Sequence, residues 1–413
     1  MDINNAFLQG DLYEEVYMSL PQGFIKHGET KVCRHLKSLY GLKQAFRQWN
    51  IKLTEALIES GHNQIAFDHS LFTKKQGDGL VVILIYVDDL LITGSHQTLI
   101  EDAKMTLHNR FKVKGLGELR YFLGVEVLRS KKGTLLNQRK YALELISQVG
   151  LSGFKPAKTP LELNQNLTTV DYDAHVGNTD DLEFEDATTY QQLIGKLLYL
   201  TITGPDISFA VQSLSQFMQQ PKQSHLEVAF RVIKYLKSCP GLRVLLLTGP
   251  ITNLIAYCDS DWASCPNTRR SVTGYVVKLG EALISWKSKK HHTVSRNSAK
   301  AEYKSMTTAV AEVTRVVGLL QELGLTISQH VSLFRDKKAA IQIASNPIFH
   351  ERTKHIKLDC HFVHEKIKSG LILPHHISSA QQLADLLTKG LPAAQHQLLL
   401  SKLGVFDVFH PPT

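Results

Sequence analysis

A chain of 413 residues that is 43% hydrophobic and 21% charged has the balance of a globular protein, which excludes a disordered or fibrous one. Its 47 Lys and Arg against 38 Asp and Glu leave a formal charge of +9, which favours an acidic partner such as nucleic acid. The longest purely apolar run, Leu80–Val87, falls far short of the roughly 20 residues that cross a bilayer, so no membrane partner is expected.

At roughly 100–200 residues per domain, the length predicts two to four domains, each able to bury a core. Five scattered cysteines with no CxxC pair suggest neither a disulfide framework nor a zinc site. No basic-then-apolar leader opens the chain, so the expected location is intracellular, cytoplasmic or nuclear.

Residues 1–150 alternate strand-like and helix-like stretches. Leu80–Val87 follows the turn residues Gly77-Asp78-Gly79 and reads as a buried strand. Asp88-Asp89 then forms an acidic turn before a second strand, Leu90–Ile92. A helix over His96–Phe111 and a strand over Phe122–Val127 follow. Residues 151–187 are polar, with Pro156, Pro160 and an acidic stretch over Asp180–Asp186, and read as a surface linker. Residues 188–245 read as helical. Within Lys222–Ser238, Leu226, Ala229, Val232, Ile233 and Leu236 recur at spacings of three and four, and Pro240-Gly241 stops the helix.

Beyond Gly249-Pro250, strands are expected at Ile251–Cys258, Gly274–Leu279 and Val331–Phe334. A long helix over Ser298–Leu323 ends at Gly324, a good residue to follow a helix C-terminus. Further helices are expected from near Lys337 and over Ala380–Leu387.

Two sets of carboxylates stand out. In the first, Asp88 and Asp89 lie side by side between apolar strands, where like charges resist ionisation unless a cation neutralises them. Mg²⁺ does so with carboxylate oxygens and keeps positions open for phosphate, although a solvated acidic hairpin turn also fits a bare Asp-Asp pair. The second set is Asp259, Glu302, Asp336 and Asp385, one from each of four separate elements. Divalent ions would hold such a set together, although each acid by itself also fits a surface or capping role.

The words around these residues are more specific. Met1–Gly10, Ser38–Ala45 and Ile85–Leu91 occur in this order and resemble the reverse transcriptase of copia-type LTR retrotransposons. The resemblance implies a palm in which Asp2, Asp88 and Asp89 hold two metal ions, Mg²⁺ with Mn²⁺ as a possible substitute. Phe7 would lie under the incoming sugar, and Lys43 and Gln44 near the incoming nucleotide. Phe122-Leu123-Gly124 resembles the turn that grips the primer end. The implied partners are an RNA template, a DNA primer and, where the polymerase site is intact, a dNTP. One departure is Phe46, where the family pattern has proline. Leu193–Leu200 and Pro205–Ala210 resemble the stretch between palm and ribonuclease H, which implies a thumb and connection role.

Asp259–Ala263, Arg269–Tyr275, Ser285–Lys290, Thr353–Ile356 and Leu383–Lys389 resemble the copia-type ribonuclease H domain. There the acids matching Asp259, Glu302, Asp336 and Asp385 hold two metals and cut RNA in an RNA-DNA hybrid. The reaction is in-line attack of water that leaves a 3′-hydroxyl and a 5′-phosphate. Asp261 is the rival for the Asp259 role, and Asp259 is preferred because it directly follows the apolar strand. Arg269, Arg270, Lys287, Lys289, Lys290, His291 and His292 suit hybrid binding, since phosphate contacts dominate that affinity. His355 and His361 read as structural residues. The family usually has an acid at Lys300, Trp at Arg315, Cys at Arg335 and Asn at Lys337. All four lie near expected metal-holding positions, and Arg335 would bury an unpaired charge.

The resemblance covers roughly residues 1–407 and implies an α/β (α+β) chain. The reverse transcriptase palm occupies 1–150, a linker with a helical thumb/connection region 151–245, and a ribonuclease H-like domain with a mixed five-stranded sheet 246–390; a tail takes 391–413. The family places a fingers subdomain before the position of Asp2, and here only Met1 precedes it. A free α-amino group there would compete with the metal. Polymerase activity is therefore expected to be absent or very weak, with ribonuclease H better retained. The family also implies association with a virus-like particle. The alternative is a catalytically inert nucleic-acid-binding remnant or a gene-model product that does not fold.

Overall fold

The computed structural model describes residues 1–25, 31–178, 180–249, 253–327, 330–338, 341–342 and 357–407. They divide into two compact units, residues 1–119 with 318–325 and the remainder.

The first unit contains β1 (Asp2–Ile3), α1 (Ala6–Gln9), β2 (Asp11–Ser19), β3 (Val32–Lys37), α2 (Ala45–Glu59), β4 (Asn63–Ile65), β5 (Asp68–Gln76), β6 (Gly79–Tyr86), β7 (Asp89–Gly94), α3 (Gln97–Arg110) and β8 (Val113–Lys114). β2 and β3 form a hairpin of their own. The other strands build a six-stranded antiparallel sheet in the order β4-β5-β6-β7-β1-β8. Alternate residues of β6, including Val81, Ile83 and Ile85, point inward. α2 covers that face with Trp49, Leu53, Ala56 and Leu57, three and four residues apart.

The second unit begins with β9 (Tyr121–Phe122), β10 (Val125–Ser130), β11 (Gly133–Asn137) and α4 (Arg139–Gln148). α5 (Val170–Val176), α6 (Ala187–Leu200), α7 (Ser208–Leu214) and α8 (Gln223–Ser238) build a helical layer, followed by β12 (Leu242–Leu247). Next come β13 (Leu254–Asp261), β14 (Val272–Leu279), β15 (Ala282–Lys290), α9 (Ser298–Glu322) and β16 (Val331–Arg335). The chain closes with α10 (Lys357–Lys368), β17 (Ile372–His376), α11 (Ala393–Leu403) and β18 (Val405–Asp407). One sheet, ordered β18-β12-β11-β10-β9, is antiparallel throughout. The other is the expected mixed five-stranded sheet, ordered β15-β14-β13-β16-β17. β13, β14 and β15 are antiparallel, whereas β16 and β17 join parallel to β13, as strands entered through long crossovers must. Among the described residues no helix is long and apolar enough to cross a membrane.

The apolar face expected on α8 is present, with Leu226, Ala229, Val232 and Ile233 buried in the helical core. Other expectations are corrected. The strand expected over Phe122–Val127 is broken by Leu123-Gly124, both at positive φ (47° and 76°), into the hairpin β9–β10. The 151–187 stretch is not an exposed linker. Leu151, Leu161 and Leu167 enter the helical core, and Thr169 caps α5 by accepting from Tyr172 N. The helical reading of 188–245 ends at Ser238, because Leu242–Leu247 pairs with β11 and β18. The 391–413 tail carries α11, whose Leu399, Leu400 and Leu403 pack with Val244, Val276 and Leu283. Ala380–Leu387 forms two 3₁₀ turns, Ser379–Gln381 and Leu383–Leu387. Most of the helix expected from Lys337, the Thr353–Ile356 motif and His355 lie outside the described residues.

Candidate functional site

In the first unit the sheet places Asp2 of β1 directly opposite Asp89 of β7. Asp88 lies in the β6–β7 turn, and its carbonyl accepts from Ile3 N at 2.9 Å. Register between neighbouring strands thus brings Asp2 beside the adjacent pair Asp88 and Asp89, far away in sequence. Burial, followed by the charges of Asp88 and Asp2, raises the Asp89 carboxyl above its ordinary value. Val87, in the same turn, has φ 58°, a costly conformation for a β-branched residue, and Trp49 Nε1 donates to its carbonyl at 2.7 Å. Val87→Gly is expected to stabilise the chain by about 1 kcal/mol in urea unfolding, since glycine removes the Cβ clash.

The Phe7 ring meets Tyr40 edge-on at 5.0 Å and Phe46 at 6.5 Å between centroids. Phe46 thus joins an aromatic group around Phe7. Lys43 is exposed and Gln44 half-buried, immediately before α2.

In the second unit the parallel pairing of β13 with β16 runs through Tyr257 opposite Phe334. Two residues further along each strand lie Asp259 and Asp336, so the topology delivers both acids to the carboxyl ends of neighbouring parallel strands. Such ends open into a crevice, the usual ligand position in α/β sheets. Glu302, the fifth residue of α9, joins them from above the sheet. Ligand oxygens of Asp259, Glu302 and Asp336 all lie within 4.8 Å of one another. This is the one such group of three among the described residues, and the Asp2, Asp88 and Asp89 oxygens are not gathered as closely. Asp336 Oδ1 is buried without a hydrogen-bond partner, while Oδ2 accepts from Ser379 Oγ at 2.9 Å.

Asp385 comes from the 3₁₀ turn Leu383–Leu387 and reaches the same group through Lys389. Lys389 Nζ lies 2.9 Å from Asp385 Oδ1 and 3.2 Å from Asp259 Oδ2. Thr388 Oγ1 donates to Asp259 Oδ2 at 2.6 Å. Burial and then the Asp259 charge push Glu302 up to about 8 and Asp385 up to about 7. Burial opposes the charge on Lys389, but Asp259 and Asp385 outweigh it and keep the amine charged. Asp261 stays outside the group of three. It lines a neighbouring cleft of about 440 Å³ together with Lys389, Cys265 and Phe209.

Gly274 of β14 pairs with Asp259 and allows the Asp385 turn to approach. A Cβ there would lie 2.8 Å from both Leu387 Cβ and Thr388 Cγ2. Gly274→Ala is therefore expected to displace that turn and cost about 1–3 kcal/mol, read by thermal unfolding.

Two expectations about basic residues are corrected. Arg335 is fully buried but not unpaired, since its Nη2 donates to Glu302 Oε2 at 2.7 Å. Arg315 is not near the acids. It lies 13 residues beyond Glu302 on the same helix, about 20 Å away, and pairs with Glu312. Lys337 does approach, with Nζ 3.8 Å from Asp336 Oδ2, and Lys300 N donates to Asn297 Oδ1. Of the basic cluster, Arg269, Lys287, Lys289 and His292 are exposed. Lys290 instead turns to Cys265 Sγ and Gln216, and His291 to Thr273. His361 is exposed on α10. The sequence reading missed Thr388 and Lys389 as partners of the acids, although the Asp385–Lys389 spacing of four is a recognisable ion-pair signal.

A family model described as reverse transcriptase (RNA-dependent DNA polymerase) matches residues 1–163. The retrovirus-related Pol polyprotein from transposon RE1 of Arabidopsis thaliana is 41% identical over 414 residues, all of this chain and 28% of that polyprotein. A transposon Ty5-1 protein of Saccharomyces cerevisiae is 31% identical over 317 residues, 76% of this chain and 100% of that protein. The crystal structure of RNase H1 from Halobacterium salinarum matches 33% of this chain and 94% of its own, with 15% identity and a TM-score of 0.23. The chain belongs to the reverse transcriptase family of copia-type retrotransposon Pol polyproteins. It spans 28% of the length of the RE1 relative.

Proposed function

We propose that the acids of the second unit hydrolyse the RNA strand of RNA-DNA hybrids with the help of divalent ions, Mg²⁺ with Mn²⁺ as a substitute. The observation that carries this reading is the convergence of Asp259, Glu302 and Asp336 within 4.8 Å, with Asp385 tied in through Lys389. The donor set fits a hard cation. It consists of carboxylate oxygens, one of them buried and unpartnered, and burial, followed by the neighbouring acids' charge, raises Glu302 and Asp385. When bound, the ions would neutralise the acids and lower the pKa of water for attack on the phosphodiester.

The residues of the chain set up the rest. Thr388 and Lys389 fix one oxygen of Asp259, and Ser379 fixes one of Asp336. Lys287 and Lys289, exposed on alternate positions of β15, supply phosphate contacts for a hybrid. In this reading the domains are a palm over 1–150, a connection over 151–245 and a ribonuclease H-like domain over 246–390. Asp2, Asp88 and Asp89 are the palm acids for RNA-directed DNA synthesis, with Phe7 under the sugar and Lys43 and Gln44 near the dNTP. A second reading, hybrid binding without hydrolysis, is favoured by one observation, the Arg335 guanidinium already bound to Glu302.

The test is cleavage of end-labelled RNA in a hybrid by the full chain in Mg²⁺, with Asp259→Asn as control. Mg²⁺-dependent products that vanish in the control are expected. A chain that binds hybrid without cutting it supports the second reading.

A further inference from the structure

We propose that Arg335 is a resident counter-cation of the acidic cluster, which competes with a divalent ion for Glu302 and weakens metal binding there. The proposal rests on the reading of the cluster as a metal site.

Arg335 ends β16, directly before Asp336, and its side chain is 0% exposed. Nη2 donates to Glu302 Oε2 at 2.7 Å, and Nη1 contacts Met306 Sδ at 3.4 Å, one turn further along α9. Nε is buried with no hydrogen-bond partner. With Nε unpartnered and Nη1 on a weak sulfur acceptor, the guanidinium is held in place largely by Glu302. Glu302, at 2% exposed, depends on it in turn. A buried charge pair of this kind resists the removal of either partner. A charge-assisted hydrogen bond also occupies one of the two oxygens through which a carboxylate ligates a cation.

The charge balance points the same way. Ionised, Asp259, Glu302, Asp336 and Asp385 carry four negative charges. Lys389 faces two of these acids and offsets one charge, and Arg335 offsets a second. What remains matches one divalent ion rather than two. Lys337, 3.8 Å from Asp336 and 55% exposed, lowers the demand further, but a solvated amine can swing away. Arg335 has no such freedom.

The test is calorimetric titration of the full chain and its variants with Mg²⁺, all at the same pH. Arg335→Met and Arg335→Cys are expected to bind Mg²⁺ about tenfold or more tightly than the unsubstituted chain. Arg335→Lys, which keeps the charge, is expected to stay near the unsubstituted affinity, and Asp259→Asn to lose binding. Equal affinity for the unsubstituted chain and the two neutral variants, with loss only in Asp259→Asn, overturns the proposal and leaves the metal site standing. No binding by any folded variant overturns both.

A second measurement avoids variants that fail to fold. In the unsubstituted chain, the ¹⁵N signal of the Arg335 guanidinium is expected to shift as Mg²⁺ breaks its bond to Glu302. An unmoved signal at saturating Mg²⁺ overturns the proposal.

Discussion

Asp385→Asn is expected to abolish hybrid cleavage and, in metal-free buffer at pH near 8, to make the folded chain more stable than the unsubstituted one. Burial, and then the Asp259 charge, push the Asp385 carboxyl up to about 7 from an ordinary 3.8. Between those values the folded chain keeps a proton that the unfolded chain releases. Stability therefore falls as pH rises through this window and stays lowered above it. A shift of this size corresponds to at most about 4 kcal/mol, and loss of the Lys389 hydrogen bond offsets part of it. The expected net gain is about 1–3 kcal/mol near pH 8 and close to zero near pH 4, read by urea unfolding with chelator present. Mg²⁺ should reverse the ranking, because only the unsubstituted site gains from binding it. Cleavage is expected to drop at least about a hundredfold. A variant less stable than the parent near pH 8 would show that the crowded acids are not under strain.

Lys222→Met is expected to cause the largest loss of stability in the second unit, about 3–5 kcal/mol. Lys222 is 1% exposed and pairs with Asp173 and, at 2.7 Å, with Asp181. Thr168 Oγ1 accepts a third hydrogen bond at 3.0 Å. Burial alone would raise both acids, but hydrogen bonds headed by that from Lys222 hold them below the ordinary carboxylate range. In the unsubstituted chain these acids therefore stabilise the fold above roughly pH 4, and that contribution is lost as pH falls through their lowered values. Methionine keeps the bulk and removes the charge, leaving both acids without their amine. The variant should then become more stable as pH falls towards 4, because protonation relieves the uncompensated charges. Adding Asp173→Asn to Lys222→Met should recover part of the loss, a non-additivity that isolates the pair. Parallel pH profiles for parent and variant would sink this account.

Much of this was legible in the residues. The β6–turn–β7 unit could be read because a Val- and Ile-rich run meets two acids and then turns apolar again. α9 could be bounded because Gly324, at φ +83°, ends it as expected. Asp259, Glu302 and Asp336 were singled out by their neighbouring words and lie together, whereas strand position does not separate Asp259 from Asp261, since β13 carries both and Asp259 is the one that is buried.

What stayed hidden depended on contacts distant in sequence. The 151–187 stretch looks like a linker because its buried leucines are ten and six residues apart, outside any helical or strand period. α11 and β18 escaped because they gain their burial from β12, more than 150 residues upstream. Arg335 looked like an unpaired charge because its partner, Glu302, lies 33 residues away on another element. Only the crossing of α9 over the mixed sheet brings the two together.

Asp259, Glu302, Asp336 and Asp385 are proposed to form a metal site. The most direct test is anomalous diffraction from crystals of the full chain equilibrated with Mn²⁺. An anomalous peak is expected within ligand distance of Asp259 and Asp336, with Asp385 turned towards it, and a stronger peak in Arg335→Met crystals. Ordered carboxylates with no peak between them at saturating Mn²⁺, in both parent and variant, would contradict it.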